Sequence, residues 1–341
     1  MRRTSGLLAA SVVVMAGIAP AGGQAPVADA GLRQDARAGA VPPPWVYTVN
    51  TPPSPGQAAP APAPGAAPEL LEVPGSAVRL TRAQLGDLFN PPDWHPDSHP
   101  PPPEVVAHGR RPDVRACGYC HYPNGQGRPE NSSLAGLPAD YIVQQMADMR
   151  AGKRRSADPN MRPPAAMLAI ARASTVDEDR SAAAYFASFP FRRWIRVVET
   201  ATVPVMRVAG GVPVPVPGAG QEPIAGRIIE TPENVVQAER RDSASGFVAL
   251  VPVGAIARGR TLAAGGDGRA ACSVCHGDGL KGLGAVPPLA GRSPSYAVRQ
   301  LFDLQHGVRR GPWAPLMAST VAPLTLDDMV ALAAYAASLA P

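Results

Sequence analysis

The sequence predicts a mainly α protein of two tandem helical domains, with a proline-rich N-terminal arm and an extended insert between the domains. Three observations predict it. The chain repeats itself over about 90 residues, the mark of a duplicated unit. Each copy carries apolar residues at helical spacing. Each copy also opens on Cys-x-x-Cys-His, and these motifs hold all four cysteines of the 341-residue chain.

The chain begins with the pattern of a secretory leader. Arg2 and Arg3 precede an apolar run from Leu7 to Ile18, and Ala19-Pro20-Ala21 offers a small-x-small cleavage site, with Ala28-Asp29-Ala30 as a later one. A leader at 1–21 implies export to the periplasm. Retained, the same run would be a membrane anchor, although it is short for a bilayer span. The net charge is +5, of which Arg2 and Arg3 supply two. A mild basic excess suits acidic protein partners or anionic membranes. Without a basic run interleaved with aromatics, it excludes nucleic-acid binding.

Residues 22–103 read as an arm. From Ala40 to Pro68 proline and alanine dominate, which favours extended polyproline II and predicts a tether with no core of its own. One short helix is expected over Thr81–Phe89, with Thr81 as its cap. His95 and His99 follow in a second proline-rich stretch. With His108 they form a weak metal-site candidate, lacking a carboxylate or thiol partner at ligand spacing, and a loop or docking role suits them better.

The two domains are expected at 104–192 and 254–341. After Cys117-Gly-Tyr-Cys120-His121 come Leu134, Tyr141, Gln145, Gly152 and Arg155, at 13, 20, 24, 31 and 34 residues past the histidine. After Cys272-Ser-Val-Cys275-His276, Leu289, Tyr296, Gln300, Gly307 and Arg310 stand at the same offsets. Thr175-Val-Asp-Glu178 and Thr325-Leu-Asp-Asp328 read as capping boxes, each ten residues before a tyrosine, Tyr185 or Tyr335. Helices are expected over Ala139–Ala151 and Pro294–His306, and over Val176–Phe189 and Leu326–Leu339. Shorter ones are expected before each motif, over Val105–Ala116 and Gly254–Ala264. The segment 193–253 is rich in Val, Ile, Pro and Gly. That predicts extended structure, with a hairpin around Ala209–Val212, packed on one or both domains.

Two thiols three residues apart lie on one helical turn, and the adjacent histidine can coordinate iron. That is the haem c attachment pattern. Zinc would want four ligands, and neither site has more cysteines. A redox dithiol would sit in a βαβ context that is absent. The expected cofactors are therefore two covalently bound haem c groups, on Cys117 and Cys120 and on Cys272 and Cys275, with His121 and His276 as iron ligands.

Small helical domains with this motif near the start and a methionine before the last helix resemble class I cytochromes c, and the tandem arrangement resembles the di-haem members of that family. The resemblance covers 104–192 and 254–341. It implies a methionine sulfur on each iron's second face. Met317 lies 18 residues before Tyr335 and Met167 lies 18 before Tyr185, so they are the matched candidates. Met161 is the rival in the first unit, whose motif-to-methionine stretch is longer by five residues. His306, matched by Ala151, is expected to be a surface residue rather than a ligand.

The resemblance also implies that the proximal histidine donates its N–H to a proline carbonyl. Pro287 or Pro288 can accept it in the second unit. The first unit has Asn131-Ser132-Ser133 there, with Pro129 earlier, and this departure predicts different potentials for the two haems. Arg155 and Arg310 are candidate contacts for the haem propionates.

Six-coordinate His/Met haems suit one-electron transfer. The expected function is a periplasmic electron carrier, or the electron-transfer subunit of a complex, with a dehydrogenase, an oxidase or another cytochrome as redox partner. No catalytic constellation is expected. The alternatives are an oxidoreductase with a catalytic haem in the first domain, and a membrane-tethered docking subunit.

Overall fold

The structure is a computed structural model that describes residues 1, 41–51, 67–266 and 268–341. The leader expected at 1–21, and the parts of the arm at 22–40 and 52–66, lie outside the described residues. Among the described residues no single helix is long and apolar enough to cross a membrane.

The arm contributes a two-stranded piece, β1 (Leu70–Leu71) with β2 (Leu80–Thr81), and a single helical turn, α1 (Arg82–Leu85). Thr81 caps α1 as expected, its side chain and that of Gln84 forming a reciprocal capping box. The helix stops at Gly86, short of the expected Phe89. Leu71, Val73, Leu85 and Trp94 bury themselves in a small apolar cluster there.

The tether reading of the arm needs correction at 41–51. Val46 and Tyr47 are fully buried in the core of the second unit, with Trp45 packed against it. Residues 43–47 are Pro-Pro-Trp-Val-Tyr, and they form a turn closed by Val46 N–H to the Pro43 carbonyl at 3.0 Å, which brings three apolar side chains into one place. Arg299 Nη1 then donates to the Val46 carbonyl at 2.9 Å, and the Tyr47 hydroxyl donates to Asp303 at 2.8 Å.

In the first unit, α2 (Glu104–Ala107) is one turn rather than the expected helix to Ala116. Gly109 takes φ +64 with its Cα packed against the Val114–Ala116 backbone, and Pro112 follows, so the helix cannot continue. Then come α3 (Cys117–His121), α4 (Ala139–Arg150), α5 (Arg162–Ala173) and α6 (Val176–Ala187). Thr175 and Glu178 cap α6 reciprocally. Val106, Val114, Ala183 and Phe186 form the centre of this unit's core.

The segment between the units forms β3 (Ile195–Thr200), β4 (Thr202–Pro204), β5 (Met206–Ala209), β6 (Val212–Pro215), β7 (Gln221–Pro223), β8 (Ile229–Pro232), α7 (Val235–Glu239) and β9 (Phe247–Pro252). Strand β9 is central, parallel to β3 and antiparallel to β8. β5 and β6 pair antiparallel across Gly210-Gly211, both at positive φ, the conformation a two-residue hairpin turn demands.

The second unit comprises α8 (Ala255–Ala263), α9 (Ser273–His276), α10 (Pro294–Gln305), α11 (Ala314–Val321) and α12 (Leu326–Ser338). Helix α8 crosses α12 at Gly259, where a Cβ would meet the Ala331 carbonyl at 2.0 Å. Only glycine allows that approach. Both methionine segments contain helices that the repeat spacing does not mark. Pro163 and Pro164 open α5, and Pro315 opens α11, in first-turn positions where the missing N–H costs nothing.

Candidate functional site

Each Cys-x-x-Cys-His motif lies on a single helical turn, and all four cysteines are free thiols. His121 and His276 are both buried, each 7% exposed. The loop after each motif folds back the same way. His121 Nδ1 meets the Ser132 carbonyl at 2.7 Å, and His276 Nδ1 meets the Pro287 carbonyl at 2.9 Å. Both carbonyls stand eleven residues past their histidine. The histidine carbonyl is capped by Gly127 N–H in one unit and Gly282 N–H in the other. With Nδ1 committed to a carbonyl, Nε2 is the ring atom left to bind a metal. Burial pulls both imidazoles below the ordinary histidine pKa, so they stay neutral.

Pro287, one of two expected acceptors, thus makes the contact. The expectation for the first unit is corrected: no proline is required, because the contact uses a backbone carbonyl, and Ser132 supplies it. The first unit is held further by Asn131 Nδ2, which donates to the Cys120 carbonyl at 3.2 Å.

Met167 lies on α5, half-buried against the cluster that holds Cys117, Tyr185 and Phe186. The Phe186 ring centroid is 6.3 Å from that of His121. Met317 lies on α11, half-buried against the second unit's core. Met161, at the start of α5, is 1% exposed and belongs to that second core, beside Val46 and Tyr47. His306 is half-buried, correcting the surface reading; it stacks on Phe302 at 4.0 Å between centroids.

The arm histidines have partners of another kind. His95 pairs with Asp242 at 2.8 Å, His99 with Asp93 at 3.1 Å, and His108 Nδ1 with Asn90 at 2.9 Å. Among the described residues no group of three or more His, Cys, Asp or Glu could hold a metal ion.

Arg155 and Arg310 are exposed. The residues before them meet instead. Arg154 and Arg309 form an antiparallel bridge between the units, closed by Arg310 N–H to the Lys153 carbonyl at 2.6 Å. The side chains cross over. Arg154 donates to the Tyr296 hydroxyl at 2.7 Å and to Gln145 and Gln300, while Arg309 donates to the Tyr141 hydroxyl at 2.8 Å and to the same two glutamines. The junction is therefore a pseudo-twofold exchange of matched residues. Arg292 adds to it, donating to the Ser133 and Ala135 carbonyls of the first unit, and burial pulls its guanidinium down to about 10. From spacing, Tyr141, Tyr296, Gln145 and Gln300 are legible only as markers of the repeat. Their being polar and in register in both copies was the available sign of a shared junction.

These features fit haem c. Paired free thiols on one turn suit thioether attachment, and a neutral, carbonyl-held imidazole suits iron. The side-chain partners of Arg154 and Arg309 are phenol and amide oxygens, which leaves two guanidiniums suited to carboxylates such as propionates.

No protein-family model matches the chain. It is similar to the thiosulfate dehydrogenase electron acceptor of Stutzerimonas stutzeri (strain A1501), 28% identical over 235 residues, 68% of this chain and 82% of that protein. It is similar to cytochrome c4 of Azotobacter vinelandii, 26% identical over 228 residues, 64% of this chain and 82% of that protein. Cytochrome c-554(548) of Halomonas halodenitrificans is 35% identical over 77 residues, 22% of this chain and 93% of that protein. Among solved structures, thiosulfate dehydrogenase (TsdBA) from Marichromatium purpuratum is 29% identical with a TM-score of 0.43, covering 68% of this chain and 38% of that one. Reduced cytochrome c4 from Pseudomonas stutzeri is 21% identical with a TM-score of 0.43, covering 65% of this chain and 93% of that one, and cytochrome c4 from Acidithiobacillus ferrooxidans is 22% identical with a TM-score of 0.42, covering 65% of this chain and 98% of that one.

Proposed function

The chain belongs to the di-haem cytochrome c family, and from that premise we propose that it passes single electrons through two linked haem domains, 104–192 and 254–341, in the periplasm. Its cofactors are two covalently bound haem c groups, which supply the one-electron redox chemistry. The attachment residues are Cys117 and Cys120, and Cys272 and Cys275. His121 and Met167 are the axial ligands of the first site, His276 and Met317 those of the second. Arg154 and Arg309 neutralise and position propionates at the junction, in place of Arg155 and Arg310. The insert at 193–253, with its β5–β6 hairpin, braces the two domains.

The observation that carries this reading is the matched proximal geometry, His121 to the Ser132 carbonyl and His276 to the Pro287 carbonyl. Each carbonyl fixes ring orientation and tautomer, and raises ligand basicity. His121 and His276 are themselves buried within their motif turns. The bridge at Arg154 and Arg309 gives the two domains a fixed contact, so an electron entering one domain has a defined route to the other.

The donor is a dehydrogenase acting on small sulfur compounds, as the name of the relative from Stutzerimonas stutzeri suggests for that protein. The alternative, a catalytic first haem, rests on the longer methionine stretch and the altered carbonyl contact of the first unit; Ser132 makes that contact, which removes one of the two grounds.

The test is to produce the chain with haem c maturation, count haem per chain, and mix it with a thiosulfate-oxidising dehydrogenase. Two haems per chain, both reduced on adding thiosulfate, are expected. One haem, or two haems that stay oxidised while the dehydrogenase reduces another acceptor, would contradict the reading.

A further inference from the structure

We propose that Arg241, supplied by the insert, sets the potential of the first site by placing a fixed positive charge on the Cys117–His121 turn. The proposal rests on the di-haem reading above.

Arg241 contacts the motif itself. Its Nη2 donates to the carbonyl of Tyr119, one of the two residues between the cysteines. Its guanidinium carbon lies 4.0 Å from the centroid of the Tyr119 ring and 5.7 Å from that of Tyr122, the residue after His121. The residue is half-buried, where salt screens a charge less than at an open surface.

The chain commits structure to holding it there. Arg241 sits at φ +59, a conformation unfavourable to any residue with a Cβ. The neighbours on both sides are clamped. Trp94 Nε1 of the arm donates to the Arg240 carbonyl at 2.8 Å, and the Arg240 side chain returns a hydrogen bond to the Glu72 carbonyl. Asp242 is fully buried and pairs with His95 at 2.8 Å; it also accepts from Gln237 Nε2 at 3.2 Å and from Ala244 N–H at 2.9 Å. Trp94 and His95 thereby acquire a purpose: the arm grips the turn that presents Arg241. The other buried ion pair nearby, Arg128 with Glu130 at 2.9 Å, is neutral overall.

Among the described residues, no arginine stacks on or hydrogen-bonds to the second unit's motif turn. Val274 and Gly277 stand where the first unit has Tyr119 and Tyr122, and Val274 is 66% exposed. An oxidised haem carries one more positive charge than a reduced one, so a fixed cation beside it favours the reduced state. Arg241 therefore raises the first potential and leaves the second alone.

The test is spectroelectrochemical titration of the holoprotein and of four variants, each first shown to carry two haems per chain. Arg241→Gln is expected to lower one midpoint by about 59 mV, a roughly tenfold change in the electron-transfer equilibrium, with the other midpoint unmoved. Arg241→Glu lowers it further, and Arg241→Lys keeps it near the parent value. Arg241→Met retains the apolar stem over Tyr119 and serves where the glutamine variant fails to accumulate; it follows glutamine. Unmoved midpoints, equal shifts at both haems, or a lysine variant as low as glutamine would overturn the proposal. A parent chain without two haems would contradict the underlying reading instead.

Discussion

The two haem units share a motif, a fold-back loop and a junction, yet they are stabilised differently. The second unit has a full helix, α8, locked onto α12 at Gly259, and a side-chain cap at Ser293 on α10 that is itself held by Glu230 of β8. The first unit has one turn, α2, in place of α8, and its α4 begins at Pro138 without a side-chain cap. The arm and the Arg240–Asp242 turn close over it instead. The residue after the ligating histidine shows the same contrast. Gly277 takes φ +76, and a Cβ there would meet the Gly282 carbonyl at 2.3 Å; Tyr122 takes φ +62 at the matching place, beneath Arg241. Two copies of one domain can thus keep the ligand geometry while exchanging internal helix packing for support from added segments.

The largest expected effect on this contrast comes from Gly259→Ala. Its methyl group has no room between α8 and α12, so a loss of about 3 kcal/mol is expected from overpacking. Thermal unfolding followed at each haem should show the second unit failing first. Simultaneous loss of both units with an unchanged midpoint would mean that α8 does not stabilise the second unit separately.

Glu230 gives a pH-dependent version of the same test. Burial pushes its carboxyl up to about 7, and burial likewise pushes Asp303 up to about 6. A raised carboxyl pKa means that the folded state keeps a proton the unfolded chain has lost. That contribution is complete below the ordinary carboxylate range and disappears as pH rises through about 7. Stability should therefore fall from pH 5 to pH 8, and Glu230→Gln should flatten the profile. A profile rising over that range in the natural protein would contradict the assignment.

The smallest effect separates two matched aspartates, Asp148 and Asp303. Asp303 accepts from the buried Tyr47 hydroxyl and from Ala157 N–H, while Asp148 accepts from half-buried Gln144. Tyr47→Phe should cost about 1 kcal/mol, and Gln144→Leu less, because Gln144 itself is closer to solvent than Tyr47. Chemical denaturation of the two variants measures the difference, and equal costs would show that burial of the arm does not distinguish the units.

Much of this architecture is legible from spacing. The duplication, the motif turns and the four long helices follow from residues that recur at fixed offsets, because helical period and capping chemistry are local. The Pro287 contact follows from the family resemblance, which left Pro287 and Pro288 as alternatives. Ser132 is not legible, since a backbone carbonyl accepts whatever side chain it carries. The burial of Trp45, Val46 and Tyr47 is hidden because proline-rich composition hides three apolar residues whose partners are more than 200 positions away, as with Tyr47 and Asp303. Arg154 and Arg309 are displaced by one residue from the arginines that spacing selected. Which member of an Arg-Arg pair turns inward depends on the bridge between units, a contact that no single unit encodes.

The central claim is one His/Met haem in each unit, with Met167 and Met317 as the sixth ligands. Proton NMR of the reduced holoprotein tests it most directly, because a methionine methyl held over a haem ring is shifted far upfield. Two such methyl signals are expected, one lost in Met167→Ala and the other in Met317→Ala, with both retained in Met161→Leu. A single upfield methyl in the natural protein, or loss of one in Met161→Leu, would contradict it.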